Sequence, residues 1–340
     1  MKCTQTTNST NSIILQLKST QERLTLSDMH GIISSIKNRF GYKIRGHEVH
    51  VTQRNMERLT LKERVLNVSN FCLKNDIEYL TYHVPALRNE AQSFSDAGSH
   101  EKGSDLIFAT INEAEIVREK CSLESKSIIV YHLPSVISFG EIQYLNKELK
   151  FRILKDAENH LLDLYKRNSE RIDRSSILTL ENVFPKCYTY GGNYATINMF
   201  HPFEMIRLRN FGIKLTFDLS HYNIYANYLL HGKDNIVGDL DRQIYGSTAP
   251  SWNECIELFG NSLVQLHIND SKGTDYTGEG MNLAEGEIPI IDILRKIKHD
   301  SKCRGDMRAT IELRDGHLYH GKPQRRAIEW LLINACDIFY

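Results

Sequence analysis

Short apolar runs recur along the chain, each closed by one carboxylate or imidazole. They read IEYLTY-His83, SIIVY-His132, ILTL-Glu181, IKLTF-Asp218, LVQL-His267 and RATI-Glu312. Runs this short and rich in β-branched residues predict buried strands rather than helices. Successive ends are separated by between 37 residues (Glu181 to Asp218) and 49 residues (His83 to His132). A returning helix and two loops fill that interval, as a βαβ unit requires. In a flat parallel sheet such ends spread along an edge, whereas a closed barrel turns them into one pit. The expected fold class is α/β, a (β/α)8 TIM barrel of a single domain.

Helix-period segments alternate with these runs. IILQLKS predicts a first strand and YKIRGHEVHVT a second, with an amphipathic helix over Ser27–Phe40 between them. Further helices are expected in LKERVLNVSNFCLKN, INEAEIVREKC, Phe151–Asn168, HPFEMIRLRNFG, SWNECIELFG, IPIIDILRKIKHD and QRRAIEWLLINAC, with Gly212 as a C-terminal stop. Eight strand-helix pairs result. Residues 1–10 are expected to form a flexible tail and 11–340 the barrel. Three irregular stretches, Arg88–Lys102, Pro185–Phe200 and Ser271–Glu287, follow strands and should rim the active face. The last is glycine-rich and suits a lid or clamp, while Tyr188, Tyr190, Tyr194 and Phe200 suit packing over the mouth.

Composition narrows the function classes. At 340 residues the chain holds one barrel of about 250 residues with decorations. Lys plus Arg and Asp plus Glu are 42 each, so no global positive field favours nucleic acid. Seven scattered cysteines without a CxxC pair read as reduced, structural thiols. The polar start MKCTQTTNSTNS lacks the apolar core of a secretory signal, and no run approaches the roughly 18 apolar residues of a membrane span, so a cytoplasmic enzyme is expected. No GxGxxG or GxxxxGK[ST] string is present, which argues against nucleotide cofactors.

Glu181, Asp218, His267 and Glu312 together offer three carboxylates and an imidazole, a donor set suited to Mn2+, Co2+, Mg2+ or Zn2+. His83 and His132, from the two preceding strands, are candidates for a second ion with Glu181 bridging. His47/His50 and His317/His320 have close spacing but no strand-end position, and are expected at the surface. Lys272, Glu287 and Arg314 read as solvated or ion-paired surface groups, and Asn269 and Asp270 as loop-shaping residues.

The strings TFDLSH (Asp218, His221), LHINDSKG (His267 to Lys272), LAEGEI and TIELRDG (Glu312) resemble the xylose-isomerase-like barrel superfamily, which includes sugar isomerases, tagatose-type epimerases, inosose dehydratases and endonuclease IV. The likeness runs in order from His83 to Glu312. In the epimerase pattern it implies one divalent metal on Glu181, Asp218, His267 and Glu312, a substrate contact from His221, and Glu181 with Glu312 as paired acid and base on a small sugar or polyol. In the endonuclease IV pattern His83 and His132 join Glu181 on one zinc beside a second zinc, for phosphodiester cleavage at abasic DNA. That pattern's third zinc uses an Asp-x-His that falls here on Gly278 and Gly280, with Asp275 the nearby carboxylate, so a trinuclear centre is not expected. The sequence leaves substrate, metal identity and oligomeric state open.

Overall fold

In the computed structural model of the protein, eight parallel strands close into a barrel. They are β1 (Asn11–Ser19), β2 (Gly46–His50), β3 (Tyr79–His83), β4 (Ser127–His132), β5 (Ser176–Glu181), β6 (Lys214–Asp218), β7 (Leu263–Ile268) and β8 (Gly305–Ile311). The strands pair in sequence order, and β8 closes on β1 with Gln16 opposite Thr310. The structure describes residues 11–84, 97–132, 136–183, 187–188, 194–196, 201–231, 236–274, 276–300, 302–303, 305–314, 316 and 318–339. The expected tail, most of the Arg88–Lys102 and Pro185–Phe200 stretches, Asp275, His317, Tyr190 and Phe200 lie outside these residues.

Strand alternation divides the core. Leu15, Leu17, Leu80, Tyr82, Ile129, Leu178, Leu180, Leu215, Phe217, Leu266, Ile268, Ala309 and Ile311 face the helices and are fully or nearly fully buried. Each such Leu, Ile or Phe contributes on the order of 1.5–3 kcal/mol through the apolar surface it removes from water. The alternate positions face inward and, apart from Ile14 on β1 and Ile128 and Val130 on β4, the buried ones are mostly polar. Gln16, Thr81, Thr179, Thr216, Gln265 and Thr310, all fully buried, form a floor across the barrel, bonding to one another and to the backbone. Thr81 and Thr310 donate to Gln16 Oε1 at 3.2 and 2.9 Å, and the Thr179 and Thr216 hydroxyls meet at 2.7 Å. Gly46 makes room for this layer, since a Cβ there would lie 2.5 Å from Gln16 Cγ. Beneath it, the buried Arg308 donates to the carbonyls of Leu80 and Lys126 and closes the other end of the barrel.

Several helices are longer than the apolar pattern suggests. The first spans Arg23–Phe40 and stops at Gly41, whose φ of 69° is left-handed. The helix expected over Phe151–Asn168 runs from Lys147 to Ser175. Its polar first turn hides the start from a hydrophobicity pattern, and the Asn146 side chain caps it by accepting from the Leu149 N–H at 2.9 Å. Likewise the helix before β4 begins at Ala97, inside the stretch expected to be irregular. A small antiparallel sheet joins Val136–Ser138, from the loop after β4, to a hairpin of Cys187–Tyr188 and Tyr194–Thr196 after β5.

A second ionic cluster lies among the helices. Lys150 pairs with Glu204 at 2.9 Å and with Asp241, while Tyr225 and Tyr245 donate to Asp241 and Glu204 at 3.0 and 3.1 Å. Four helices are tied together by it, and Lys150 and Asp241 are fully buried. Cys72, Cys121, Cys255 and Cys303 carry free thiols as expected, whereas Cys336 is disulfide-bonded. Among the described residues no helix is long and apolar enough to cross a membrane.

Candidate metal centre

The strand ends converge. Two residues beyond five of the six floor residues stands a ligand-type side chain. Thr81 thus leads to His83, Thr179 to Glu181, Thr216 to Asp218, Gln265 to His267 and Thr310 to Glu312. The two-residue period of a strand requires this stacking. His83, Glu181, His267 and Glu312 bring one donor atom each within 4.8 Å of one another, and Glu181, Asp218 and His221 form a second such group.

Glu181 is the hub. Its Oε1 lies 3.0 Å from His267 Nδ1 and 3.5 Å from His221 Nδ1, and its Oε2 lies 3.2 Å from His83 Nε2 and 2.8 Å from His132 Nε2. The two oxygens therefore serve two different sets of imidazoles. Asp218 is held by its neighbours: Asn269 donates to Oδ2 at 2.9 Å, and the His221 N–H donates to Oδ1 at 2.7 Å. His267 Nδ1 lies 2.6 Å from Glu312 Oε2 and 3.8 Å from Asp218 Oδ2. The side chains of Glu312 and His132 are 26% and 21% exposed, while those of Glu181, His83 and His267 are at most 3%, so the former two mark the open side of the pit.

A divalent ion fits this donor set. Glu312 Oε2 and His132 Nε2 are buried without a well-formed hydrogen bond, although each sits close to a charged neighbour. Lone pairs that converge in a pit without satisfying one another are what a cation would satisfy.

Electrostatics keep the carboxylates charged. Burial alone would raise the pKa of Glu181, but His132 and His267 hold it well below the usual carboxylate range. Against the same burial, Lys18 and His267 hold Glu312 well below that range. Asp218 is different: burial, with the nearby Glu181 and Glu312 charges, pushes it up to about 6 despite His221. His83 is lowered by burial and by the Lys18 charge, which leaves its imidazole neutral and able to ligate. Burial opposes protonation of His267 and His221, yet neighbouring carboxylates raise the first well above its ordinary value and the second to about 10.

Three residues of the site are absent from the sequence reading. Lys18, at the end of β1, lies 2.5 Å from Glu312 Oε1 and 3.0 Å from Glu48 Oε1. Glu48, opposite Lys18 in the β1–β2 register, is fully buried and lies 3.0 Å from His267 Nε2. Glu279, in the loop after β7, lies 3.1 Å from His221 Nε2 and is paired to Arg314 at 3.6 Å. It stands between Gly278 and Gly280, so a carboxylate reaches His221 where an Asp-x-His is missing.

Two further expectations need correction. His47 and His50 are not surface residues: His47 is fully buried against Phe71, with its pKa lowered by burial to about 4. His50 stacks on His83 with ring centroids 5.1 Å apart. The β2 segment is polar but lies between β1 and β3, so position in the barrel overrides its composition. His320, by contrast, is exposed as expected, and so are Lys272, Glu287 and Arg314. The Ser271–Glu287 loop is tied to the rim: Asp270 accepts from the N–H groups of Ser271, Gly286 and Ile288 at 2.9, 3.0 and 3.1 Å.

No protein-family model and no curated protein matches the chain. Solved structures do. A sugar phosphate isomerase/epimerase from Parabacteroides distasonis is 10% identical, with 94% of each chain covered and a TM-score of 0.52. D-allulose 3-epimerase from Methylomonas sp., in complex with D-allulose, is 13% identical over 95% of this chain and 99% of that one, with a TM-score of 0.51. The chain has the fold of the xylose isomerase-like TIM barrels. Endonuclease IV from Thermus thermophilus, 13% identical over 93% of this chain and 99% of that one, superposes at a TM-score of 0.44, too loose to carry weight.

Proposed function

We propose that the protein is a divalent-metal-dependent isomerase or epimerase acting on a small sugar or polyol. The observation that carries this reading is the placement of Glu181 and Glu312 about one imidazole, 3.0 and 2.6 Å from His267 Nδ1 at the bottom of a pit open on one side. Glu181, Asp218, His267 and Glu312 would hold the ion. When bound, it would supply Lewis-acid polarisation of a substrate carbonyl or hydroxyl oxygen.

The chain's own groups perform the proton work. Both carboxylates are kept ionised, so either accepts a proton from a carbon beside a carbonyl, and the conjugate acid so formed returns it. Inversion of a stereocentre needs one of the two ionised to take the proton from one face and the other, Glu312 at the open side, first protonated from solvent so that it can deliver a proton to the opposite face. His221, protonated between Asp218 and Glu279, would donate Nε2–H to a substrate oxygen that takes the place of Glu279, its Nδ1 being held by the Asn182 carbonyl at 2.8 Å. The buried floor beneath the ligands keeps bulk water from reaching the reacting carbon from below.

One observation favours a second reading. Glu181 divides its two oxygens between His267 with His221 and His83 with His132, as a carboxylate bridging two ions would. Two ions suit phosphodiester hydrolysis of the endonuclease IV type, on abasic DNA. Elemental analysis of protein purified without chelator, with His83→Ala alongside, separates the readings. About one Mn, Co or Mg per chain, indifferent to the substitution, together with turnover on a sugar panel, supports the isomerase. Two zinc ions, one of them lost in His83→Ala, together with cleavage of abasic DNA, would replace it. Metal content and turnover both unchanged in Glu312→Gln or His267→Ala would refute the centre itself.

A further inference from the structure

We propose that Lys18 is a positioning residue of the metal centre, clamping Glu312 so that it offers one oxygen to the ion and leaves coordination space for substrate. The inference rests on the metal-centre reading above and extends it to a residue outside the ligand set.

The geometry is specific. Lys18 Nζ takes Glu312 Oε1 at 2.5 Å, while Glu312 Oε2 is the oxygen that faces His267 Nδ1 at 2.6 Å. A carboxylate with both oxygens free can chelate a cation; an ammonium group on one oxygen draws off its charge and fixes its direction, which disfavours chelation through that oxygen. The same ammonium holds Glu48 Oε1 at 3.0 Å, and Glu48 Oε2 lies 3.0 Å from His267 Nε2. One cation thus links two routes into the centre, one ending on a carboxylate ligand and the other on an imidazole ligand.

Lys18 is also fixed from behind. Its backbone N–H donates to Gln324 Oε1 at 3.2 Å, and Gln324 Nε2 donates to its carbonyl at 2.7 Å, which anchors the end of β1 to the last long helix. The side chain is 9% exposed, too enclosed for a surface lysine whose charge is simply solvated. A buried lysine placed beside a site for divalent ions opposes their binding by repulsion. Such a group weakens the ion's hold while it orders the ligands, which suits a centre whose ion must keep positions open.

The test is Mn2+ titration of the full chain, read by calorimetry and by electron paramagnetic resonance of the bound ion, in wild type, Lys18→Met and Lys18→Arg. Lys18→Met should bind the same number of ions about tenfold more tightly or better, because a repelling charge is gone and a chelating oxygen is released. Its bound-Mn2+ spectrum should differ from that of wild type, and Lys18→Arg should restore the wild-type spectrum. A Lys18→Met protein with the wild-type spectrum and an affinity within about threefold would overturn the proposal. Should Lys18→Met fail to fold, Lys18→Gln, which keeps length and a donor without the charge, is read by affinity alone: tightening supports the proposal and none overturns it. Absence of ion binding by wild-type protein would instead sink the metal-centre reading, and this inference with it.

Discussion

Glu48 Oε2 and His267 Nε2 lie 3.0 Å apart, although β2 and β7 are separated by two strands of the barrel wall, and the contact commits the imidazole's other nitrogen to the pit. With Nε2–H donated to Glu48, Nδ1 faces Glu181 and Glu312 and is the nitrogen left to ligate an ion once its proton is displaced. Carboxylate partners of this kind orient a ligating histidine and raise its basicity. Glu48→Gln should therefore lower divalent-ion affinity by about 10–100-fold without changing the number of ions bound. Calorimetric titration of the variant checks this, and an unchanged affinity would remove Glu48 from the centre.

Ion binding should strengthen as pH rises. His267 is raised well above its ordinary value of 6.5, burial notwithstanding, by Glu181, Glu48 and Glu312, so the ion-free imidazole carries a proton that the ion must displace. The sign for stability runs the other way. That protonated pairing stabilises the ion-free fold below the ordinary pKa and is lost as pH climbs through the raised one. Titrations at several pH values, in buffers of different ionisation enthalpy, should show proton release on binding. No release would contradict the assignment.

Glu279→Gln should lower the pKa of His221. Against the opposing effect of burial, Asp218 and then Glu279 raise it to about 10, so loss of one carboxylate charge moves it down. An NMR titration of the His221 ring reads the shift directly. A titration indistinguishable from wild type would show that Glu279 does not reach His221 in solution.

Lys150→Met removes the buried ammonium that pairs with Glu204 and Asp241. A loss of about 3–5 kcal/mol of folding stability is expected when one partner of a buried ionic cluster is removed. Urea unfolding measures it. Ion stoichiometry should be untouched, since the cluster shares no residue with the pit. A loss below about 1 kcal/mol, the level of a solvated pair, would mean that water reaches the cluster.

The six ligand-bearing strand ends were legible because each closes an apolar run, and apolar runs mark buried strands. Lys18 and Glu48 were not, because β2 has almost no apolar run and β1 ends in a residue type that sequence reasoning assigns to solvent. A signal was nevertheless present. Gln16-x-Lys18, Thr81-x-His83, Thr179-x-Glu181, Thr216-x-Asp218, Gln265-x-His267 and Thr310-x-Glu312 repeat one pattern of a polar residue two places before a charged or ionisable one. Glu279 had no such signal. It lies in a loop without periodicity, and only the path of the backbone past Gly278 and Gly280 brings it to His221.

The Thr and Gln layer, with Arg308 below it, makes the barrel a vessel with a sealed base. Among the described ligand-type side chains around Glu181, those with the most solvent contact are Glu312 and His132. On the proposed reading, substrate, product, ion and displaced proton would all pass the same two side chains, so an occupant bound beside them would hold everything beneath it in place.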